Sequence, residues 1–179
     1  MKRYIYLSLC CLWASLSMHA ASYSGTLPVL HIQTENNAPI VSKDDYINAT
    51  YYLDAMGQEN IESIGSATAP LTMEIKGRGN YTWKGFDKKP YRLKLTDKQP
   101  LLGMTKSKHF ALLAHADDSK GFMRNAIGFE LARLIGMTWT PMALPVEVVL
   151  NGDYIGLYFL TETIRVDKDR VNIVEQEDE

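Results

Sequence analysis

"ALPVEVVLNGDYIGLYFLTE" (143–162) holds the strongest local pattern in the chain. Two runs rich in β-branched and aromatic residues flank Asn151-Gly152. Asn and Gly both tolerate positive φ, which a two-residue hairpin turn requires. The stretch therefore predicts a pair of antiparallel strands. Upstream of it, "DDSKGFMRNAIGFELARLIGM" (117–137) predicts one long helix. Asp118 or Ser119 can cap its start, Phe122, Ile127, Leu131 and Leu134 or Ile135 approximate one apolar face, and Gly136 is a natural stop. Further upstream, "HFALLAH" (109–115) is a short buried run, while "YRLKL" (91–95) and "LTMEIKG" (71–77) alternate as half-buried strands do. "YINATYYLDA" (46–55) and "LPVLHIQT" (27–34) complete the set. The expected fold is α+β, a mostly antiparallel sheet with one long helix against it.

The totals fit one globular domain: 179 residues, 46% apolar and 22% charged. The N-terminal end reads differently. "MKRYIYLSLCCLWASLSMHAASYSG" has Lys2 and Arg3, an apolar run from Tyr4 to Leu16, then small residues at Ala20, Ala21 and Ser22. That is the pattern of a secretory signal, placing a signal peptide at 1–21 and the protein in an exported location: periplasm, cell surface or outside. The run falls short of the roughly 20 apolar residues of a comfortable membrane span, so no stable span is expected once it is cleaved. Both cysteines, Cys10 and Cys11, lie inside it. The processed chain is thus expected to lack a disulfide, a Cys nucleophile and a Cys-based zinc site.

Charge is unevenly spread. Lys76 to Leu95, "KGRGNYTWKGFDKKPYRLKL", holds seven Lys or Arg and one acid, Asp87, in a chain of net charge −2. Arg92 and Lys94 share the polar face of "YRLKL", and Arg78 and Lys89 are further cations near it. Gly77 and Gly79 form a G-x-G, a weak phosphate-loop signal alone that a bend explains as well. His115, Asp117 and Asp118 invite a metal reading, but a helix cap accounts for Asp118, and no metal ligand is assigned. An acidic, exported chain is a poor nucleic-acid binder.

The order of a strand bearing Lys, then helix, strand, hairpin turn and strand matches the N-terminal lobe of a protein kinase in outline. The segments "IKGRGNYTWKGFDKKPYRLKL", "KSKHFALLAHADD", "RNAIGFELARLIGM" and "PVEVVLNGDYIGLYFLTETI" look like the CotH family, the spore-coat-protein-H-like atypical kinases, over about Leu27 to Ile173. The resemblance implies a protein-kinase-like N-terminal lobe, ATP with a divalent metal (Mg or Mn), and phosphorylation of Ser in secreted or surface protein substrates. It makes Lys94 the first choice for the phosphate-binding lysine, with Arg92 beside it. Arg78 and Lys89 are lesser cofactor-binding choices, and Glu130 is the helix acid expected to pair with Lys94. The family's catalytic and metal-binding Asp residues lie in a later lobe, the latter in a W-D-F-D-like motif. Trp13, Trp83 and Trp139 all lack a following Asp. Residues 22–179 are therefore expected to be the N-terminal, nucleotide-binding part of a CotH-like kinase domain, without catalytic residues and inactive alone. The alternative is a secreted, non-enzymatic module that binds glycans or other polyanions through 76–94, by ring stacking and ion pairing.

Overall fold

The computed structural model describes residues 24–118 and 120–174. The expected signal peptide with Cys10 and Cys11, the candidate cap Ser119 and the acidic end 175–179 lie outside the described residues. Seven strands follow in the predicted order: β1 (Val29–Thr34), β2 (Ile47–Asp54), β3 (Leu71–Gly77), β4 (Tyr91–Gln99), β5 (Ser107–Leu113), β6 (Ala143–Leu150) and β7 (Asp153–Glu162). A one-turn helix α1 (Tyr81–Gly85) sits between β3 and β4, and α2 (Arg124–Leu134) between β5 and β6.

The expected α+β, kinase-like lobe is not what forms. The strands close into a barrel in the order β1-β2-β3-β4-β5-β7-β6. Every pairing is antiparallel except the closing one, where β1 runs parallel to β6 from Val29 opposite Glu147 to Ile32 opposite Leu150. Helix α2 has eleven residues and buries none of them. On its predicted apolar face Ile127 is 53% and Leu134 74% exposed. The physical reason is that the sheet covers its own apolar face. Alternation sends Leu30, Ile32, Tyr51, Leu53, Ile75, Leu93, Leu95, Phe110, Leu112, Val146, Val148, Tyr158 and Leu160 into one buried cluster. With the interior filled, α2 is not needed as a lid. Closure also removes the exposed strand edges of an open sheet.

The hairpin tip does two jobs. Asn151 and Gly152 have φ of 54° and 87°, as the tight turn requires. Asn151 also seams the barrel. Its N–H donates to the Ile32 carbonyl at 2.8 Å, and its Oδ1 accepts from the Thr34 N–H at 2.8 Å and hydroxyl at 3.0 Å. Nearby, Glu147 is buried on the outer side of β6. It accepts from the Ser24 N–H and hydroxyl and from the Tyr154 hydroxyl, each at 2.8 Å. Those bonds offset the cost of burying a carboxylate, while burial and Glu147 push the Tyr154 hydroxyl up to about 12.

The predicted helix start is shifted. Asp117 and Asp118 lie in a 3₁₀ turn, Ala116–Asp118. Asp118 still serves the helix end, since its Oδ2 accepts the Arg124 N–H at 3.1 Å. Among the described residues no helix is long and apolar enough to cross a membrane.

Candidate functional site

A cleft of about 610 Å³ runs along the outer face of β3, β4, β5 and β7 and is flanked by α2. Its cationic lining comes from Lys43, Lys76, Arg78 and Arg92, and its other borders include Asp44, Asn125, Phe129 and the chain from Thr161 to Ile164. Lys76 and Arg92 are opposite each other in the β3–β4 register. Their inward neighbours Ile75 and Leu93 fill the barrel, so strand alternation puts both cations outside. The Arg78 N–H donates to the Pro90 carbonyl at 3.1 Å, which extends the pairing beyond β3 and holds Arg78 beside Arg92.

The glycines of the G-x-G are explained by this local geometry. A Cβ on Gly77 would stand 2.5 Å from the Trp83 ring, so Gly77 lets the indole close over β3. Gly79 has φ of +75°, a turn conformation that favours glycine.

Arg78 is half-buried, and its guanidinium is pushed down first by burial and then by the charge of Arg92. Among the described residues neither Arg78 nor Arg92 has a carboxylate within ion-pair distance. Two neighbouring guanidinium groups without a counter-ion repel each other, and a bound oxyanion relieves that repulsion. The other cations are occupied: Lys76 Nζ donates to the Asp44 carbonyl at 3.0 Å, and Lys43 Nζ to Asn80 Oδ1 at 2.7 Å.

The remaining residues expected at the site lie elsewhere. Lys94 Nζ is 2.6 Å from Glu74 Oε2 and 5.5 Å from the Tyr46 ring centroid, outside the cleft lining. Glu130 pairs with Arg133 one helical turn on and borders a separate depression with Met142 and Leu144. The expected Lys94–Glu130 pair is therefore replaced by two other pairs. Lys89 Nζ donates to the Trp83 carbonyl at 2.7 Å and fixes the β3–β4 connection.

Sequence reasoning missed three features of this region. Lys88 donates to the Leu157 carbonyl and lies 4.5 Å from the Tyr158 ring centroid. Burial pushes its amine down to about 8. Nothing in "KKP" distinguishes Lys88 from Lys89. Glu162, at the cleft, forms a buried pair with Arg170 at 3.7 Å; their side chains are 4% and 2% exposed. Arg170 also donates to the Thr163 carbonyl at 2.6 Å, which ties down the chain bordering the cleft. Finally, His115 reaches the cleft residue Asn125, with Nε2 3.2 Å from Asn125 Nδ2.

The metal reading finds no support in the side chains. Among the described residues no three His, Cys, Asp or Glu side chains gather as a metal site. Both His115 nitrogens are engaged, by Phe122 and Asn125, and Asp118 holds the Arg124 backbone. Of the aromatic rings in the basic stretch, Tyr91 is buried and Trp83 packs against the core, while Tyr81, 70% exposed, meets the half-buried Phe86 edge to face at 5.4 Å.

No curated protein matches the chain. The family model described as CotH kinase protein matches residues 75–179, from the end of β3 through α2 and the hairpin. That span is over half of the sequence and includes Arg78, Arg92, Asn125 and Glu162. The chain belongs to the CotH kinase protein family.

Proposed function

We propose that the cleft binds the phosphates of a nucleotide, ATP by family expectation, and that the chain is the nucleotide-binding part of an exported CotH-like kinase. Membership of the family supports a kinase-related function. The observation that carries the finer reading is the pair Arg78 and Arg92, adjacent in one cleft with no carboxylate partner among the described residues. Guanidinium groups offer planar forks that match phosphate oxygens. The residues therefore fit a polyphosphate, with Arg78 and Arg92 holding its oxygens. Among the described residues no three His, Cys, Asp or Glu side chains gather there to hold a resident divalent metal.

No phosphoryl-transfer step is assigned to the described residues. Glu162, the buried acid at the cleft, is committed to Arg170. On this reading the described part binds and orients the nucleotide, and the phosphoacceptor is a secreted or surface protein. Export rests on the signal-like pattern of residues 1–21.

Calorimetric titration with ATP, with and without Mg²⁺, tests the reading. Arg78→Ala and Arg92→Ala should each weaken binding by roughly 10-fold or more, the scale of a charge-assisted hydrogen bond. Absence of ATP binding in the wild type overturns the proposal. Binding of a sulfated glycan that survives both substitutions, with no ATP binding, supports the polyanion module instead.

A further inference from the structure

We propose that His115 selects which end of the Asn125 amide faces the phosphate cleft, so that one proton on His115 regulates anion binding there. This rests on the reading of the cleft as a phosphate site. His115 lies between β5 and α2, is 6% exposed, and has a φ of 49°. Its ring stacks on Phe159 with centroids 4.9 Å apart and planes 7° from parallel. The ring therefore has a fixed direction.

Its two nitrogens have different partners. Nδ1 is 2.9 Å from the Phe122 carbonyl. A carbonyl only accepts, so Nδ1 carries a hydrogen. Nε2 is 3.2 Å from Asn125 Nδ2. An amide nitrogen only donates, so Nε2 accepts and the ring is neutral. Asn125 borders the same cleft as Arg78 and Arg92. While Nδ2 is held by the ring, the opposite end of the amide is its carbonyl oxygen, which repels an anion.

Protonation reverses this arrangement. Both ring nitrogens become donors. Nδ1 keeps the Phe122 carbonyl, but Nε2 now needs an acceptor. A half-turn of the amide gives it Asn125 Oδ1 and swings the NH₂ group away from the ring. The amide then offers an anion a donor in place of an acceptor. Anion binding and protonation must favour each other equally, by linkage.

The charged groups facing the ring pull in both directions. Asp117 and Asp118 in the 3₁₀ turn favour the cation, and Lys88 before β4 opposes it. Arg124 at the start of α2 is held 3.6 Å from both Asp117 and Asp118 and partly offsets them. From β7 comes Phe159, uncharged and stacked on the ring. Burial has the largest effect and holds the ring below its ordinary value, so the neutral arrangement is the resting one at neutral pH.

The test uses sulfate, which does not titrate in this range, and the full chain. The ¹⁵N shifts of the His115 ring are measured at pH 7.5 and 5.5, with sulfate affinity at each pH. The expected ring at pH 7.5 is neutral with hydrogen on Nδ1. Sulfate affinity in the wild type should rise about 10-fold more on acidification than in Asn125→Ala or His115→Gln, the scale of one hydrogen bond to a charged group. A ring with hydrogen on Nε2 at pH 7.5, or the same pH dependence in Asn125→Ala as in the wild type, overturns the switch alone. Absence of sulfate binding at either pH overturns the phosphate-site reading and, with it, the regulatory role.

Discussion

Lys94 Nζ lies 2.6 Å from Glu74 Oε2, directly across the β3–β4 pairing. The strand lysine that looked best placed for a phosphate already has a carboxylate. Glu74 holds its ammonium above the usual lysine range, first through the hydrogen bond and then through charge. Arg92, two residues earlier on the same strand face, has no such partner among the described residues and lines the cleft. Lys94→Ala should leave ATP affinity within about twofold of the wild type, as expected for an exposed pair outside the site. A loss in Lys94→Ala as large as that in Arg92→Ala would move the phosphate site to Lys94.

Gly77→Ala should destabilise the protein by about 1–3 kcal/mol, the usual cost of overpacking. The added Cβ meets the Trp83 ring at 2.5 Å. Combining it with Trp83→Leu should cost less than the sum of the two single changes. Urea unfolding of the four proteins of that cycle measures the coupling, and strict additivity would show that the ring does not rest on Gly77.

Arg170→Met should cost about 3–5 kcal/mol by leaving Glu162 buried and unpaired. The double variant Glu162→Leu, Arg170→Met should recover most of that loss, because replacing both members of a buried pair is often neutral. Chemical denaturation of the single and double variants distinguishes this from loss of Arg170 packing alone, which the double variant would not repair.

Asn151→Gly keeps a turn-compatible backbone but removes the bonds to the Thr34 N–H and hydroxyl. It should cost about 1–3 kcal/mol, because a donor of the seam is left unsatisfied. Amide hydrogen exchange should accelerate most in β1 and β6, the strands the seam joins. Uniform acceleration around the barrel would separate Asn151 from closure.

Stability should fall as the pH drops below about 6.5, the ordinary histidine value. Burial is the leading influence holding His31, His109 and His115 below it. A depressed folded value means that the unfolded chain binds protons first. The contribution of each neutral ring is thus complete above about 6.5 and lost as the pH falls toward the folded value. Melting temperatures recorded from pH 7.5 to 5 should decline over that window; a flat or rising curve would contradict the sign.

The sequence by itself determined the local elements and the family. Alternation located β2, β3 and β4, with β3 at its observed bounds, because side-chain direction repeats every two residues, and β-rich or apolar composition marked β1, β5, β6 and β7. Asn151-Gly152 declared its turn because few residue pairs accept positive φ twice. The tertiary structure decided the rest. Local periodicity says which side of a strand is apolar but not which strand lies next to it, so the β1–β6 closure was illegible, and the helix was expected to cover a face that the barrel buries in itself. The same limit governs the site. Arg78, Lys88, Lys89, Arg92 and Lys94 look alike as cations in one basic stretch. Only three-dimensional pairing gives Lys94 to Glu74, Lys88 and Lys89 to backbone carbonyls, and leaves Arg78 and Arg92 together in the cleft with no counter-ion among the described residues.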